Sequence, residues 1–418
     1  MTRIALLVSA GAASLLVSAC GSTGLPQTSQ GSTQSAGPVS TGTVAKETLI
    51  GVVLTAPVPT NETVEMVTLD GRVRASSVFT PMPIASVPSA GLISPHQVIA
   101  ADGRIFYLDS KAVLHSLGSD GSSAIVASFP TSPSPEFWSF AVSPDAQTVL
   151  AIRDLLPQLA PPPSPAPTAP ATPALPKWQS PLTFGQTVFK AVGGTVTTVL
   201  DTNWSDTEIQ NLAVPLEMAG WDTTGPYAYV DAPLATTAIG PPSLPYGDAS
   251  YLDDSGHATK GVGGTNCQLW DRNELNVLCL GAPSGQIPAN VSTDLRATNG
   301  GKLFTTTRVR TSGRLSPSGD KIVGGMGDTG DTVVLSINAQ PDITLATGSK
   351  TGTPTLTTLG WADNQTVVAL EIPAGGTVPH VVLRNVTSST TTDPTKDAAD
   401  FGTAANAVDA FAGVVVRA

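Results

Sequence analysis

A repeated pattern constrains the fold of this chain more than any other feature of its sequence. Each repeat contains a short apolar strand, a turn rich in Pro, Asp, Asn or Gly, and a second apolar strand. Repeated strand–turn–strand units predict antiparallel sheets of similar size. Six segments fit the pattern: LISPHQVIAADG from Leu92, FAVSPDAQTVLAIR from Phe140, MAGWDTTGPYAYVDA from Met218, QLWDRNELNVLCLG from Gln268, RLSPSGDKIVGGMG from Arg314 and LGWADNQTVVALEI from Leu359.

The spacing of the repeats indicates how the sheets are arranged. Successive turns are separated by 49, 78, 49, 46 and 46 residues, counted between the equivalent positions Ser94, Ser143, Trp221, Trp270, Ser316 and Ala362. A period near 46 to 49 residues is typical of four-stranded propeller blades, which stack around an axis because no blade buries its own faces. One period back from Ser94 lies Thr48, so residues 46–418 predict seven blades, with six or eight as alternatives.

The composition agrees with an all-β β-propeller. Only 13% of the residues are charged, and no sustained apolar pattern of helical period occurs between residues 46 and 396. The net charge is -11, and it becomes -12 if residues 1–19, which include Arg3, are removed. An acidic chain with few basic clusters argues against nucleic acid as a partner and against electrostatic docking on anionic lipid. We expect a monomer.

The last residues could close the ring. The segment FAGVVVRA from Phe411 reads as an apolar strand beyond the last complete repeat. Such a strand can pair with the first blade and remove an exposed sheet edge. The alternative is a tail strand that covers an edge without closing a ring.

Three of the repeats resemble a known family. The segment from Ala141 to Ala151, AVSPDAQTVLA, is similar to the repeat of TolB-like and WD40-like (PD40-type) bacterial propellers, in which a hydrophobic residue precedes S-P-D-G and a strand. LSPSGDKIV from Leu315 and GWADNQTVVA from Gly360 match more loosely. Ala146, Ser318 and Ala362 depart from the family pattern. The resemblance implies the propeller fold and assigns no activity.

The N-terminus predicts export and lipidation. Arg3 precedes an apolar run, residues 4–17, that is too short for a comfortable membrane span and is typical of a secretory signal peptide. The following Val17-Ser18-Ala19-Cys20 resembles the bacterial lipobox, which implies a diacylglycerol on Cys20 as a stable membrane anchor. An ordinary signal peptide with an incidental cysteine is the alternative. Residues 20–45, rich in Ser, Thr, Gly and Pro, predict a disordered tether.

The other two cysteines, Cys267 and Cys279, flank the segment QLWDRNELNVL. Two antiparallel strands with a turn centred on Asn273 place the two cysteines opposite each other. In an oxidising compartment this predicts a disulfide. A metal site is the alternative, but it needs two more soft ligands, and only His257 lies nearby in the sequence.

A Pro-rich insertion, residues 157–176, lengthens the 78-residue step. Nine of its 20 residues are Pro, which favours a stiff polyproline II segment. We interpret it as a loop that projects from the third blade, between the strand containing Ile152 and the strand that begins near Phe184. It is either a tolerated surface insertion or a docking arm.

The sequence contains no concentrated catalytic motif, and we predict no cofactor and no catalytic residue. Two acidic clusters are weak candidates for Ca²⁺, which prefers oxygen ligands on turns, although Asp and Gly are also common hairpin-turn residues. The candidate residues are Asp253, Asp254, Asp328 and Asp331. Trp221, Trp270 and Trp361 recur at equivalent repeat positions, which favours core packing between blades over an exposed sugar-stacking surface.

Two functions are favoured by these features, and a sensor of a small ligand is a third possibility. The first is a lipid-anchored, extracytoplasmic, non-enzymatic scaffold that binds a protein or an envelope polymer. The second is a propeller hydrolase or lyase that acts on an extracellular carbohydrate, lactone or phosphoester. The enzyme requires at least three acidic or His residues to converge at the mouth of the central channel; the candidates are His96, His257, His380, Asp253, Asp254 and Asp331.

Overall fold

The chain is all-β in every part that the structure describes. The structure is a computed structural model, and the residues described are 47–55, 61–82, 85–87, 91–93, 98–134, 136–155, 182–206, 213–233, 248–281, 292–326, 329–338, 340–348, 355–372, 374, 380–387 and 407–416. These residues form strands and turns without a helix. None of them forms a helix long and apolar enough to cross a bilayer. Cys20, the tether and the Pro-rich insertion lie outside the described residues.

The first half of the chain builds three sheets and a small hairpin. Blade 1 contains β1 (Thr48–Thr55), β2 (Glu62–Thr68) and β3 (Val73–Phe79). The hairpin is β4 (Ala85–Val87) and β5 (Gly91–Ile93). Blade 2 contains β6 (Val98–Ala101), β7 (Arg104–Leu108), β8 (Val113–Gly118) and β9 (Ser123–Ser128). Blade 3 contains β10 (Glu136–Val142), β11 (Thr148–Leu155), β12 (Leu182–Val192) and β13 (Thr195–Asp206).

The second half builds four more sheets with the same strand order. Blade 4 contains β14 (Ala213–Trp221), β15 (Pro226–Pro233), β16 (Ala249–Leu252) and β17 (Ala258–Gly261). Blade 5 contains β18 (Gln268–Arg272), β19 (Asn276–Leu280), β20 (Thr293–Ala297) and β21 (Lys302–Thr306). Blade 6 contains β22 (Val309–Leu315), β23 (Lys321–Met326), β24 (Thr332–Ser336) and β25 (Ile343–Ala346). Blade 7 contains β26 (Thr355–Trp361), β27 (Thr366–Ile372) and β28 (His380–Asn385).

The last strand closes the ring. β29 (Ala407–Val416) pairs antiparallel with β1, with Leu49 opposite Val415, and takes the first position in blade 1. It also contacts β6 and β26, the first strands of the two neighbouring blades. The predicted closing strand is therefore confirmed, and β1 is the second strand of its blade.

Among the described residues, seven apolar layers form the core, and each is shared by two neighbouring blades. One layer joins Ile50 and Val52 of blade 1 to Val368 and Leu370 of blade 7. The other six lie between consecutive blades around the ring. A blade near the axis therefore buries both faces, as in the continuously buried Phe137–Val142 of β10, whereas the outermost strand β3 is largely exposed. This arrangement confirms the seven-bladed β-propeller.

Two local predictions are wrong in register. The turn between the first two strands of blade 2 is Asp102–Gly103, not Ser94–Pro95, and Ser94 lies outside the described residues. Both turn residues have positive φ, 44° and 69°, as a two-residue type I′ hairpin requires. The Ser-Pro dipeptide imitates the turn of other repeats, but the chain pairs eight residues later.

The cysteine hairpin is also shifted. A bulge in β18, between Leu269 and Asp271, precedes the turn from Asn273 to Asn276, so Cys279 lies opposite Leu269 rather than Cys267. A diagonal disulfide still joins Cys267 to Cys279, with a Cα–Cα distance of 5.0 Å. Both cysteines are buried in the layer between blades 4 and 5.

Candidate functional site

The two ends of the ring differ in the length of their connections. At one end, which we name the turn face, the first and second strands of blades 2 to 7 are joined by short turns, at residues 102–103, 143–147, 222–225, 273–275, 316–320 and 362–365. The turns of blades 5, 6 and 7 are bonded to each other: Asn273 Nδ2 donates to Ser316 O at 3.2 Å, and the Ser318 amide donates to Asn364 Oδ1 at 2.8 Å. These three turns therefore form a connected part of the rim.

The opposite end, which we name the loop face, carries four of the five longest connections. They join second to third strands, or one blade to the next, at residues 80–97, 156–181, 234–248 and 281–292. The fifth, residues 386–406, begins at the turn face, where the Val386 amide donates to Gln365 O at 2.7 Å. The Pro-rich insertion is in one of the loop-face connections, between the paired strands β11 and β12, as the sequence predicts.

The Ser-Pro turns that carry the family resemblance have a structural role. The Ser143 hydroxyl donates to Asp145 Oδ1 at 2.6 Å and accepts the Thr148 amide at 2.9 Å. That hydroxyl holds the pKa of Asp145 below its usual range. Ser316 accepts the Lys321 amide in the same way, at 3.0 Å. These residues fix the turns and are not free for chemistry.

Two departures from the family pattern are accommodated locally. Ala146, at the position of the family glycine, has a positive φ of 56°, a strained conformation for a residue with a Cβ. In the other turn, Asp320 replaces the missing carboxylate, because Ser316 Oγ donates to Asp320 Oδ1 at 3.1 Å. Both turns keep their shape despite the altered residues.

A cavity of about 570 Å³ lies on the axis at the turn face. It is lined by small and apolar residues from the first strands of blades 1 to 4, including Val414, Ala100, Val142 and Gly220. Among the described residues that line it, Asp102 is the only charged one. Such a lining offers little acid–base chemistry.

The residues proposed for an enzyme or a calcium site do not converge there. Asp253 and His257 lie on the turn between β16 and β17, where Asp253 Oδ1 accepts the Ser255 and His257 amides at 2.9 and 3.0 Å. Asp254 pairs with Lys190 Nζ at 2.9 Å.

Asp331 lies two blades away from that turn, in the connection between β23 and β24, and accepts the Gly348 amide at 2.8 Å. His380 is the first residue of β28, and His96 and Asp328 lie outside the described residues. Across the described part of the chain, no three His, Cys, Asp or Glu side chains are grouped to hold a metal. The enzyme hypothesis required three of its six candidate residues to meet at the channel mouth. Four of them, Asp253, Asp254, His257 and Asp331, do not line the axial cavity, so this convergence does not occur.

The three recurrent tryptophans pack between blades. Trp270 belongs to the layer between blades 5 and 6, and Trp361 to the layer between blades 6 and 7. Trp361 Nε1 donates to Arg314 O at 3.3 Å. Trp221 packs between blades 3 and 4, but it is only partly buried and also lines the axial cavity. The prediction of core packing is thus confirmed for Trp270 and Trp361 and only partly confirmed for Trp221.

Sequence reasoning missed a buried acidic pair between blades 3 and 4. Asp154 is fully buried; its Oδ1 accepts Gln186 Nε2 at 2.8 Å, and its Oδ2 has no hydrogen-bond partner. Desolvation raises the pKa of Asp154 well above its usual range, and Glu217 adds a smaller repulsion. Desolvation also raises the pKa of Glu217 to about 7. A charged residue inside the apolar strand TVLAIRDL was the available signal.

Sequence reasoning also missed a polar cleft between blades 1 and 2. The cleft measures about 530 Å³, and its lining includes Asn61, Ser77, Tyr107, Asp109 and His115. Asn61 immediately precedes β2 and Asp109 immediately follows β7, so the cleft is at the loop-face end of the two blades.

An imidazole–carboxylate pair lies in this cleft. His115 Nε2 hydrogen-bonds Asp109 Oδ2 at 3.0 Å, and Asp109 Oδ1 accepts the Lys111 and Val113 amides at 2.9 and 3.0 Å. Burial opposes the charge of Asp109, but these hydrogen bonds together hold its pKa below the usual range. The carboxylate therefore stays charged and orients the imidazole. His115 and Asp109 are six residues apart on neighbouring elements, a spacing that matches no motif.

The geometry defines the chain as a seven-bladed β-propeller. No protein-family model matches the sequence, and no curated protein matches it at a significant level. Solved structures to which it is similar include an oligogalacturonate lyase from Vibrio parahaemolyticus, with 10% identity, a TM-score of 0.46, and coverage of 78% of this chain and 84% of that chain.

Two other similar structures carry names related to the resemblance above. TolB from Acinetobacter baumannii has 12% identity and a TM-score of 0.33, and the match covers 70% of this chain and 61% of that chain. The Dos1 propeller has 11% identity and a TM-score of 0.38, with coverage of 88% and 92%. Similarity at this level concerns the fold and carries no argument about activity.

Proposed function

We propose that this chain is an extracytoplasmic lipoprotein whose propeller binds a protein or an envelope polymer without catalysing a reaction. The lipid on Cys20 attaches the chain to a membrane, and residues 20–45 act as the tether between the lipid and the ring. The lipobox-like Val17-Ser18-Ala19-Cys20 supports the anchor.

The asymmetry between the two faces is the observation that carries the binding role. Hydrogen bonds join the tight turns of blades 5, 6 and 7 at one face, whereas four of the five longest connections join strands at the other face. Binding residues occur mostly on loops that a rigid scaffold positions. The loop face is therefore the binding surface.

The disulfide supports the location outside the cytoplasm. Cys267 and Cys279 are buried and bonded to each other in the structure. Disulfides persist in oxidising compartments and are rare in the reducing cytosol. In an exported propeller Cys267 and Cys279 form a covalent bond, whereas in the cytosol the same two thiols would stay reduced.

A hydrolase or lyase is the second candidate, and the pair formed by His115 and Asp109 is the observation that favours it. An imidazole oriented by a carboxylate is a general-base arrangement. Incubation of the protein with its bound oligosaccharide or peptide, followed by mass spectrometry, distinguishes the two functions. A cleavage product that disappears in His115→Ala would overturn the non-enzymatic role.

Site-specific photocrosslinking in the native envelope tests the binding role. A photoreactive amino acid replaces Thr307 or Thr329 on the loop face, or Glu274 on the turn face; all three are exposed. We expect reproducible adducts from the two loop-face positions and none from Glu274, which serves as the matched control. Equal labelling from both faces, or no adduct from any position, contradicts the proposal.

A further inference from the structure

We propose that the cleft between blades 1 and 2 binds a saccharide unit of an envelope polysaccharide. This inference rests on the proposed binding function and names the class of ligand for one part of the loop face. Three properties of the cleft support it: its size, its rigid aromatic base and its mixed polar lining.

The size and position suit a short stretch of glycan. A volume of about 530 Å³ falls within the range of about 300 to 1,000 Å³ that is typical of small-ligand sites. Residues that follow strands at the loop face, Thr80 and Ser110, belong to its lining. A polymer lying along that face can therefore place one or two sugar rings in the cleft.

The base of the cleft is fixed before any ligand arrives. Tyr107 hydrogen-bonds across the blades to Ser77, with 2.8 Å between the two hydroxyl oxygens. The Tyr107 ring stacks on His115, with centroids 5.2 Å apart and planes at 16°, and it contacts Phe79 at 4.9 Å. Tyr107 is buried, whereas Phe79 is only partly buried and lines the cleft. A preorganised site loses less conformational entropy on binding.

The lining offers both an apolar surface and hydrogen-bonding groups. A pyranose ring likewise has an apolar face of C–H bonds and a rim of hydroxyl groups. Phe79 and Val78 supply apolar contact, and the hydroxyl of Ser110 can donate or accept. Asn61 uses its carbonyl oxygen to accept from Thr80 Oγ1 at 3.0 Å, so its NH₂ group is the part left for a ligand.

The charged groups of the cleft leave one ammonium for contact with a ligand. Asp109 is the carboxylate of the lining, and its oxygens already accept two backbone amides and the His115 imidazole. The Lys111 ammonium makes no ion pair with any described residue and is the one unpaired charge of the lining. Ammonium and imidazole groups both bind sugar hydroxyls through directed hydrogen bonds.

The test uses the full-length chain in detergent micelles. An array of bacterial glycans identifies a bound oligosaccharide, and calorimetry with that oligosaccharide then compares four proteins: the wild type, Lys111→Ala, Ser110→Trp and the control Lys260→Ala. Lys260 is an exposed lysine on β17 of blade 4. We expect Lys111→Ala to raise the Kd at least tenfold and Ser110→Trp to abolish binding by filling the cleft, with no change for Lys260→Ala.

The outcomes separate this inference from the broader proposal. The thermal melting midpoint of each variant should stay within a few degrees of the wild type, because both cleft substitutions are at a surface turn. If no glycan binds, or if Lys111→Ala and Ser110→Trp bind as well as the wild type, the cleft assignment is overturned. Loop-face photocrosslinks in the same preparation would then show that the binding function survives with a different ligand or site.

Discussion

Glu217 and Asp154 are carboxyl groups that the fold holds in a desolvated setting between two blades. Desolvation raises the pKa of Glu217 from 4.5 to about 7 and raises that of Asp154 as well. A group with a raised pKa binds more protons in the folded state than in the unfolded state across this interval. The free energy of unfolding therefore falls as the pH rises from about 4.5 to about 7.

Glu217→Gln should weaken this pH dependence. The contribution of Glu217 is at most about 3 kcal/mol, because the residue, although mostly buried, keeps some contact with water. We expect the thermal midpoint of the wild type to fall between pH 5 and pH 7.5, and that of the variant to fall less. Asp154, whose pKa is also raised, leaves a residual fall in stability with rising pH. The double variant Glu217→Gln with Asp154→Asn should reduce that fall further.

The exposed Glu274→Gln is the matched control and should reproduce the wild-type profile. Carboxyl groups with lowered pKa values, such as Asp294, act in the opposite direction and only below their ordinary value of 3.8, outside this window. Parallel profiles for the wild type and Glu217→Gln would contradict the assignment.

At the scale of residues, the sequence predicts what depends on neighbours along the chain. Ser143 and Ser316 were recognisable because a Ser-Pro turn is a local motif, and Cys267 and Cys279 because they flank one hairpin. The cleft was not recognisable, because Ser77 and Tyr107 come from different blades and meet only when the blades stack. The contact between Ser77 and Tyr107 joins residues of two blades, and no local motif predicts such a contact.

Strand β29 shows what one element contributes to the whole ring. Val415 is 1% exposed and lies in the layer between blades 1 and 2. Val415→Asp should lower the free energy of unfolding by about 3 to 5 kcal/mol, because it leaves an unpaired charge in an apolar layer. Urea denaturation measures the loss.

The control for this substitution is Val73→Asp on β3, the outermost strand of the same blade. Val73 is 52% exposed, so the new carboxylate is hydrated and should change stability by less than about 0.5 kcal/mol. Equal losses in the two variants would show that β29 does not close the ring.

The disulfide has a separate effect on the hairpin of blade 5. The two cysteines are 12 residues apart, and a crosslink of that length stabilises by about 3 kcal/mol on the loop-entropy model. Cys267→Ala combined with Cys279→Ala should shift the urea midpoint downward by a corresponding amount. Wild-type protein treated with a reductant should show a similar shift, and an unchanged midpoint in both cases would contradict a stabilising bond.

At the scale of elements, the repeat period predicted the number of blades but not every register. Asp102–Gly103 was overlooked because β6 is only four residues long, and a Ser-Pro pair upstream imitates the turn of the other repeats. The bulge in β18 was not predictable because Trp270 is accommodated by packing near Gly313 of the next blade. Turn position and bulges are decided by contacts between sheets.

The whole molecule combines a rigid ring with a proposed lipid anchor. Cys20→Ser removes the thiol that would carry the lipid, so we expect the protein to leave the membrane fraction and appear in the soluble extracytoplasmic fraction. Immunoblotting after fractionation measures the change. The control, in which Ala replaces both Cys267 and Cys279, should stay in the membrane fraction. Release of both variants would contradict the assignment of the membrane anchor to Cys20.

The position of β29 has a consequence for how the protein matures. Blade 1 takes its first strand from residues 407–416 and the next three from residues 48–79. The first sheet to leave the ribosome therefore lacks its innermost strand until residues 407–416 have been synthesised. Under the proposed export, blade 1 is completed, and the ring closed, only after these residues have crossed the membrane.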